Sequence, residues 1–260
     1  MAAVSRSSVA KAAYNITLIQ MEAVVEAPTS DEGLPIDLTS RPVWVVAIAR
    51  AGSGKTVLTR SIFYTAAQQG VYKHIICFTQ TGKSLNNEYD WLPDHAVREV
   101  HDVEQIFAIF DKLKKWKERN PKKSIEPWAL LLEDLYGEAS SKLVYHPKWT
   151  HICACFRHYN CSVFYNVQYF TACSPHMRSA IDYMAVFRTR SKKAVNGIYS
   201  VCDAHFDNIK DFKKTLQEAT KEQYHCMWYD ARAEDRESAF RSFKATPPPS
   251  FKINFKPTGL

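Results

Sequence analysis

The sequence predicts an α/β fold, a mainly parallel central sheet flanked by helices. Three observations point there. An apolar run, Val43 to Ile48, enters a small-residue loop ending Gly52-Ser53-Gly54-Lys55-Thr56, and the helically spaced VLTRSIFYTAAQQG carries on from it to Gly70. Further apolar runs of strand length alternate with amphipathic stretches, as in a parallel sheet covered on both faces. The composition, 46% hydrophobic and 13% aromatic over 260 residues, suits one large globular domain with small appendages.

Residues 1–40 carry no strong period. A short apolar patch, Ile16 to Val25, precedes the turn-rich acidic EAPTSDEGLP, and the segment reads as an arm before a domain spanning 41–245. Apolar continuity predicts a buried strand over 43–50, followed by the loop and a helix to about Gly70. KHIICFT (73–79) is the second strand, and 80–98 reads as a loop or hairpin insertion. His101 to Arg119 is an amphipathic helix with Val103, Ile106, Phe107, Phe110, Leu113 and Trp116 on one face, stopped by Asn120-Pro121. WALLLED (128–134) is a third buried strand ending in two carboxylates. Residues 140–159 are mixed: Pro147 breaks any long helix, and HICACFRHY reads as helical. CSVFYNVQ (161–168), MAVFRT (184–189) and HCMWYDAR (225–232) are the remaining strands, with Asp203 to Tyr224 helical before the last. TPPPSFKINFKPTGL cannot be a helix, so 246–260 is expected as an extended tail, loose or laid on a neighbour.

Strand, glycine loop, Lys-Thr and helix together form the context a phosphate loop requires. Over Ala49, Arg50, Ala51, Gly52, Ser53, Gly54, Lys55 and Thr56, backbone N–H groups and the helix N-terminus would face the anion. Lys55 would reach the β- and γ-phosphates, and the Thr56 hydroxyl would hold Mg²⁺. The usual pattern begins with Gly where this chain has Ala49, which fits only if the turn there needs no positive φ. A decoy, Gly82-Lys83-Ser84, is followed by LNNEYDWLPD, which has no helical period and hence no N-terminal amides to offer.

Hydrolysis needs an acidic pair at a strand end close to the metal, and Glu133-Asp134 supplies it. One carboxylate would orient the magnesium shell and the other polarise water; the order leaves open which does which, and a strand simply exiting to solvent at Glu-Asp is the plainer reading. Gln168, ending the next strand, is placed to sense the γ-phosphate or merely to cap the strand. Arg157 and Arg178 flank that strand, and either could serve a neighbouring subunit's γ-phosphate or lie on the surface.

The net charge of +7 gathers in clusters: Lys112 to Lys123, Arg188 to Lys193, and Lys210, Lys213 and Lys214. Such clusters track phosphates or simply keep a helix face solvated. No run approaches the roughly 18 apolar residues of a membrane span, and no secretory signal is visible. The seven cysteines form no disulfide pattern. His151, Cys153, Cys155, His158, Cys161 and Cys173 lack zinc spacing, and Cys153 and Cys161 read as small core residues.

The block FRHYNCSVFYNVQYFTACSPHMRSA (156–180) resembles the viral genome-packaging ATPases of the FtsK/HerA branch of P-loop NTPases. Arg157-His158, Cys161-Ser162-Val163, Gln168 and Pro175-His176-Met177-Arg178 carry the likeness, with the phosphate loop and Glu133-Asp134 at the expected distances upstream. It covers about 43–190, and HCMWYDAR with FRSFKA fits the family's C-terminal part. Glu133 departs from it, standing where the family generally has Asp. The resemblance implies an ASCE, RecA-like core with ATP and Mg²⁺ as cofactors. It also implies a homo-oligomeric ring (pentamer or hexamer), double-stranded DNA as cargo, a capsid vertex or portal-like partner, and a virion-associated, cytoplasmic or nuclear location. Rival readings are a HerA-like helicase or conjugation ATPase, a nucleoside or nucleotide kinase, and a nucleotide-binding assembly or regulatory protein without significant hydrolysis.

Overall fold

The computed structural model describes residues 19–24, 35–80, 88–100, 102–133 and 135–257. In chain order its elements are β1 (Ile19–Val24), β2 (Trp44–Ile48), α1 (Lys55–Gln68), β3 (His74–Thr79), β4 (Val97–Glu99), α2 (Glu104–Arg119), β5 (Trp128–Glu133), α3 (Gly137–Tyr145), α4 (Pro147–Cys155), β6 (Cys161–Val167), α5 (Pro175–Ala180), β7 (Tyr183–Phe187), α6 (Lys192–Cys202), α7 (Ile209–Ala219), β8 (His225–Asp230), α8 (Arg236–Ala239), β9 (Phe240–Lys244) and β10 (Lys252–Pro257).

An eight-stranded sheet of order β4-β3-β5-β6-β2-β7-β8-β9 forms the centre. It is parallel from β4 to β7; β8 then runs antiparallel to β7, and β9 antiparallel to β8. The strand β6 lies between the loop-bearing β2 and the acid-bearing β5, the extra-strand order expected of an ASCE core. Period-2 alternation splits β2 between two cores. Trp44, Val46 and Ile48 face one core with α2, α4 and α6. Val45 and Ala47 face the other with Leu58, Ile62, Phe63 and Ala66 of α1. Trp44 is wedged edge-on against Trp149 at 5.4 Å and Phe156 at 5.2 Å, a geometry that adds to its area burial.

Several elements depart from the sequence reading. The segment read as a loop or hairpin insertion contributes Val97–Glu99, paired in parallel with Cys77–Thr79; a three-residue strand is too short to show a period. The helix α6 falls where only a basic cluster was read, although Val195, Ile198 and Cys202 line one buried face and Ser191 caps its start. The strand β9 escaped because FRSFK does not alternate; its exposed edge is half-buried at best. Cys153 and Cys161 are buried core residues, and burial pushes the Cys153 thiol up to about 12.

The extended tail lies on its own chain. Ser61 Oγ donates to the Thr246 carbonyl at 2.7 Å, Phe251 packs on Tyr64 and Trp91, and the Ile253 amide donates to the Trp91 carbonyl at 2.9 Å. Beyond it β10 pairs antiparallel with β1, from Ile19 opposite Pro257 to Val24 opposite Lys252. The decoy at 82–84, His101 and Asp134 lie outside the described residues.

Candidate nucleotide-binding site

The loop begins where β2 leaves the sheet. Ala49 stays in the ladder, its N–H donating to the Val167 carbonyl at 3.0 Å. It is buried and is not among the residues with positive φ, so the backbone there asks nothing that only glycine provides. Ser53 N–H closes the turn on the Arg50 carbonyl at 3.3 Å. Gly52 and Gly54 then adopt left-handed φ of 74° and 101°. At Gly54 space matters as well, because an added Cβ would stand 3.3 Å from Ala245 Cβ.

Gly54 is the N-cap of α1, with no side-chain cap and no acidic residue in the first turn. The orphan amides and the positive end of the helix dipole therefore face outward together, an arrangement that favours an anion. Lys55 is buried beneath them, its Nζ 3.4 Å from Glu133 Oε1. Thr56 is half-buried on the same lip.

Glu133 is fully buried at the end of β5. A carboxylate there is costly without a cation and hydrogen-bond donors, and both are present. Asn166 lies beside it in register, with Ala47 on its other side. Its Nδ2 donates to Glu133 Oε2 and, at 2.7 Å, to Thr59 Oγ1. The Thr59 hydroxyl donates in turn to the Lys55 carbonyl at 3.1 Å. The chain Lys55–Glu133–Asn166–Thr59 thus closes on the first turn of α1 and fixes the loop lysine and the acid relative to one another.

Gln168 stands exposed just past β6 and shares a cleft of about 490 Å³ with Arg50, Gly52, Lys55 and Thr56. Lys55, Thr56, Glu133 and Gln168 are therefore gathered at one edge of the sheet. Arg157 and Arg178 are not among them. Arg157 lies at the opposite edge, 2.7 Å from Asp182 Oδ1 and over the Phe156 ring. Arg178 Nε donates to the Cys173 carbonyl at 3.0 Å, its guanidinium over Phe170.

Asn166, Thr59 and Asp182 were missed by the sequence reading. For Asn166 a signal existed, an amide inside the otherwise apolar VFYNV run; Thr59 and Asp182 gave none. Of the Lys112–Lys123 cluster, Lys112 is half-buried and the rest is exposed along the end of α2 and just past it, where Lys114 and Lys117 share a second cleft of about 490 Å³ with His151 and His158. Among the described residues no helix is long and apolar enough to cross a membrane.

Comparison with known proteins places these features in context. The family model described as Poxvirus A32 protein matches residues 36–224. The uncharacterized protein 075L of Invertebrate iridescent virus 6 is 24% identical over 192 residues, covering 74% of this chain and 71% of that protein. Among solved structures, the genome packaging NTPase B204 of Sulfolobus turreted icosahedral virus 2, in complex with ATP-gammaS, superposes with a TM-score of 0.53 at 18% identity, covering 78% of this chain and 97% of its own. The pCW3 conjugation coupling protein TcpA, with ATPgS, gives a TM-score of 0.52 at 14% identity over 90% of this chain and 67% of its own. At these identities the two structures share a fold with this chain.

Proposed function

The chain belongs to the poxvirus A32 protein family, and from that premise we propose that it is an ATPase that translocates double-stranded DNA, the motor that packages a viral genome into a preformed capsid. The observation that carries the catalytic part is the buried Glu133, held by Asn166 and 3.4 Å from the loop lysine. The first-turn amides of α1 and Lys55 bind the triphosphate. When Lys55 turns to the phosphate oxygens, Glu133 Oε1 is released to accept a proton from the attacking water, and Asn166 keeps the carboxylate in place. The Thr56 hydroxyl and the acidic pair Glu133-Asp134 are hard oxygen donors, which fits Mg²⁺; bound there, the ion would neutralise phosphate charge. Gln168, at the lip of the same cleft, is the γ-phosphate sensor.

The motor assembles as a ring on a capsid vertex, and one subunit's arginine serves the next subunit's ATP. Arg178 suits that role better than Arg157. It is held by a single carbonyl and an aromatic face, whereas Arg157 is bound to a buried carboxylate. The exposed basic clusters track DNA phosphates without reading sequence.

The test is hydrolysis of ATP with and without double-stranded DNA. Wild type should be stimulated by DNA, and Lys55→Ala should lose ~10²–10³-fold in turnover, the scale of removing one preorganised charge-stabilising donor. Full DNA-stimulated hydrolysis by Lys55→Ala would overturn the reading. Hydrolysis indifferent to DNA would favour a kinase-like enzyme, and binding without hydrolysis an assembly protein.

A further inference from the structure

The reversal of β8 and β9 has a spatial result. Cys226 pairs with Phe187, the last residue of β7, and His225 pairs with Lys244, the last residue of β9. The turn entering β8 and the chain leaving β9 therefore both arrive at the edge that carries the phosphate loop. They bring Tyr224, Ala245 and Pro247 to the cleft, opposite Gly54 and Val57.

Tyr224 is built in a way that packing does not explain. Its φ of 65° lies in the left-handed region, which it shares with Asn160 alone among the described non-glycine residues. A bulky side chain there is strained, and such strain persists only where the surroundings hold it. The hold is visible: the Tyr224 carbonyl accepts the Ala245 amide at 2.9 Å. Tyr224 gains little from burial in return, being 44% exposed and part of neither apolar core. Its Cδ1 passes 3.4 Å from where a Cβ on Gly54 would stand, so the ring rises from the cap of α1 along the cleft wall.

The cleft thus has two unlike parts. One is the cradle of loop amides and Lys55, suited to phosphates. The other is walled by the Tyr224 ring, Val57, Ala245 and Pro247, a flat aromatic face among small apolar surfaces. A nucleotide has the same division, an anionic tail and a base with a π-face. We infer that Tyr224 is the platform on which the base of the bound nucleotide stacks, with Ala245 and Pro247 completing that wall. The inference rests on the nucleotide-binding reading above and adds the residue that holds the base.

Affinities for ATP and for inorganic tripolyphosphate, each with Mg²⁺, test it by calorimetry on wild type, Tyr224→Ala, Tyr224→Phe and Lys55→Ala, alongside ATPase kinetics. Base–aromatic stacking predicts a loss of about 5- to 150-fold in ATP affinity for Tyr224→Ala. KM should rise with kcat retained, tripolyphosphate affinity should be unchanged, and Tyr224→Phe should restore ATP binding. If Tyr224→Ala binds ATP like wild type, or loses ATP and tripolyphosphate affinity in parallel, the platform assignment is wrong while nucleotide binding stands. If wild type binds neither ligand more tightly than Lys55→Ala does, the nucleotide-binding reading fails, and the platform with it.

Discussion

The two edges of the central sheet each bury a carboxylate beside cations, and they use it differently. At the edge where the parallel strands end, Glu133 faces Lys55 at 3.4 Å beneath the uncapped first turn of α1. At the edge where they begin, Asp182 is 3% exposed and meets Arg157 at 2.7 Å and Arg41 at 3.2 Å. Its second oxygen accepts the Trp44 N–H at 2.8 Å, and its own N–H donates to the Trp44 carbonyl at 2.9 Å. Asp182 therefore ties β2 to β7, and both arginines reach outward from it. The cation paired with Glu133 instead lines a cleft, where on the proposed function the nucleotide's phosphates would draw it from the acid. The two pairs differ in where the cation sits: Lys55 is buried against a cleft lined by the loop, whereas Arg41 and Arg157 are part-exposed at the sheet's other end.

Substitutions can break or sharpen that contrast. The largest effect should come from Glu133→Gln, which keeps a hydrogen-bonding group beside Asn166 but removes the proton acceptor. Turnover should fall ~10²–10⁴-fold with ATP still bound, as read by paired ATPase and binding assays; retained turnover would make Glu133 structural, like Asp182. Asp182→Ala should do the converse. It leaves the buried Trp44 amide without an acceptor, so unfolding by urea should show a loss of ~1–3 kcal/mol, with nucleotide affinity near wild type below the transition. A selective loss of ATP binding there would erase the distinction between the edges. The smallest effect is expected for Arg157→Ala, since Arg41 remains on the same carboxylate and the guanidinium removed is itself part-exposed: ~1 kcal/mol, with hydrolysis in the assembled protein kept. A drop of ~10³-fold or more would identify a trans-acting arginine instead.

The loop edge was far more legible in the sequence than the clamp edge. Val43 to Ile48, the glycines at 52 and 54, and Lys55-Thr56 form one contiguous stretch whose chemistry is local, so pattern alone assembles it. The end of β5 was readable because two carboxylates after an apolar run are conspicuous. Asn166 was harder, since its meaning depends on standing between Ala47 and Glu133 in the sheet, and lateral register is not written along the chain. Asp182 was illegible: its partners Arg41 and Trp44 lie 141 and 138 residues away in sequence. The short strands β4 and β9 escaped because a few residues of mixed polarity carry no period. Tyr224 gave no sign either, because an ordinary tyrosine takes its importance here from a backbone angle and from the reversal of β8 and β9.

That reversal also bears on how such a protein can change. The start of α1 after β2, the end of β5 and the strand β6 carry the lysine, the acid and the amide that depend on one another's placement, so substitution there is constrained jointly. Tyr224, Ala245 and Pro247 hang on two strands added at the sheet's far margin, with no hydrogen bond to that network. Variation at this margin can retune how tightly the base is held while the phosphate chemistry is inherited intact, and directed evolution of nucleotide affinity would begin at these three positions.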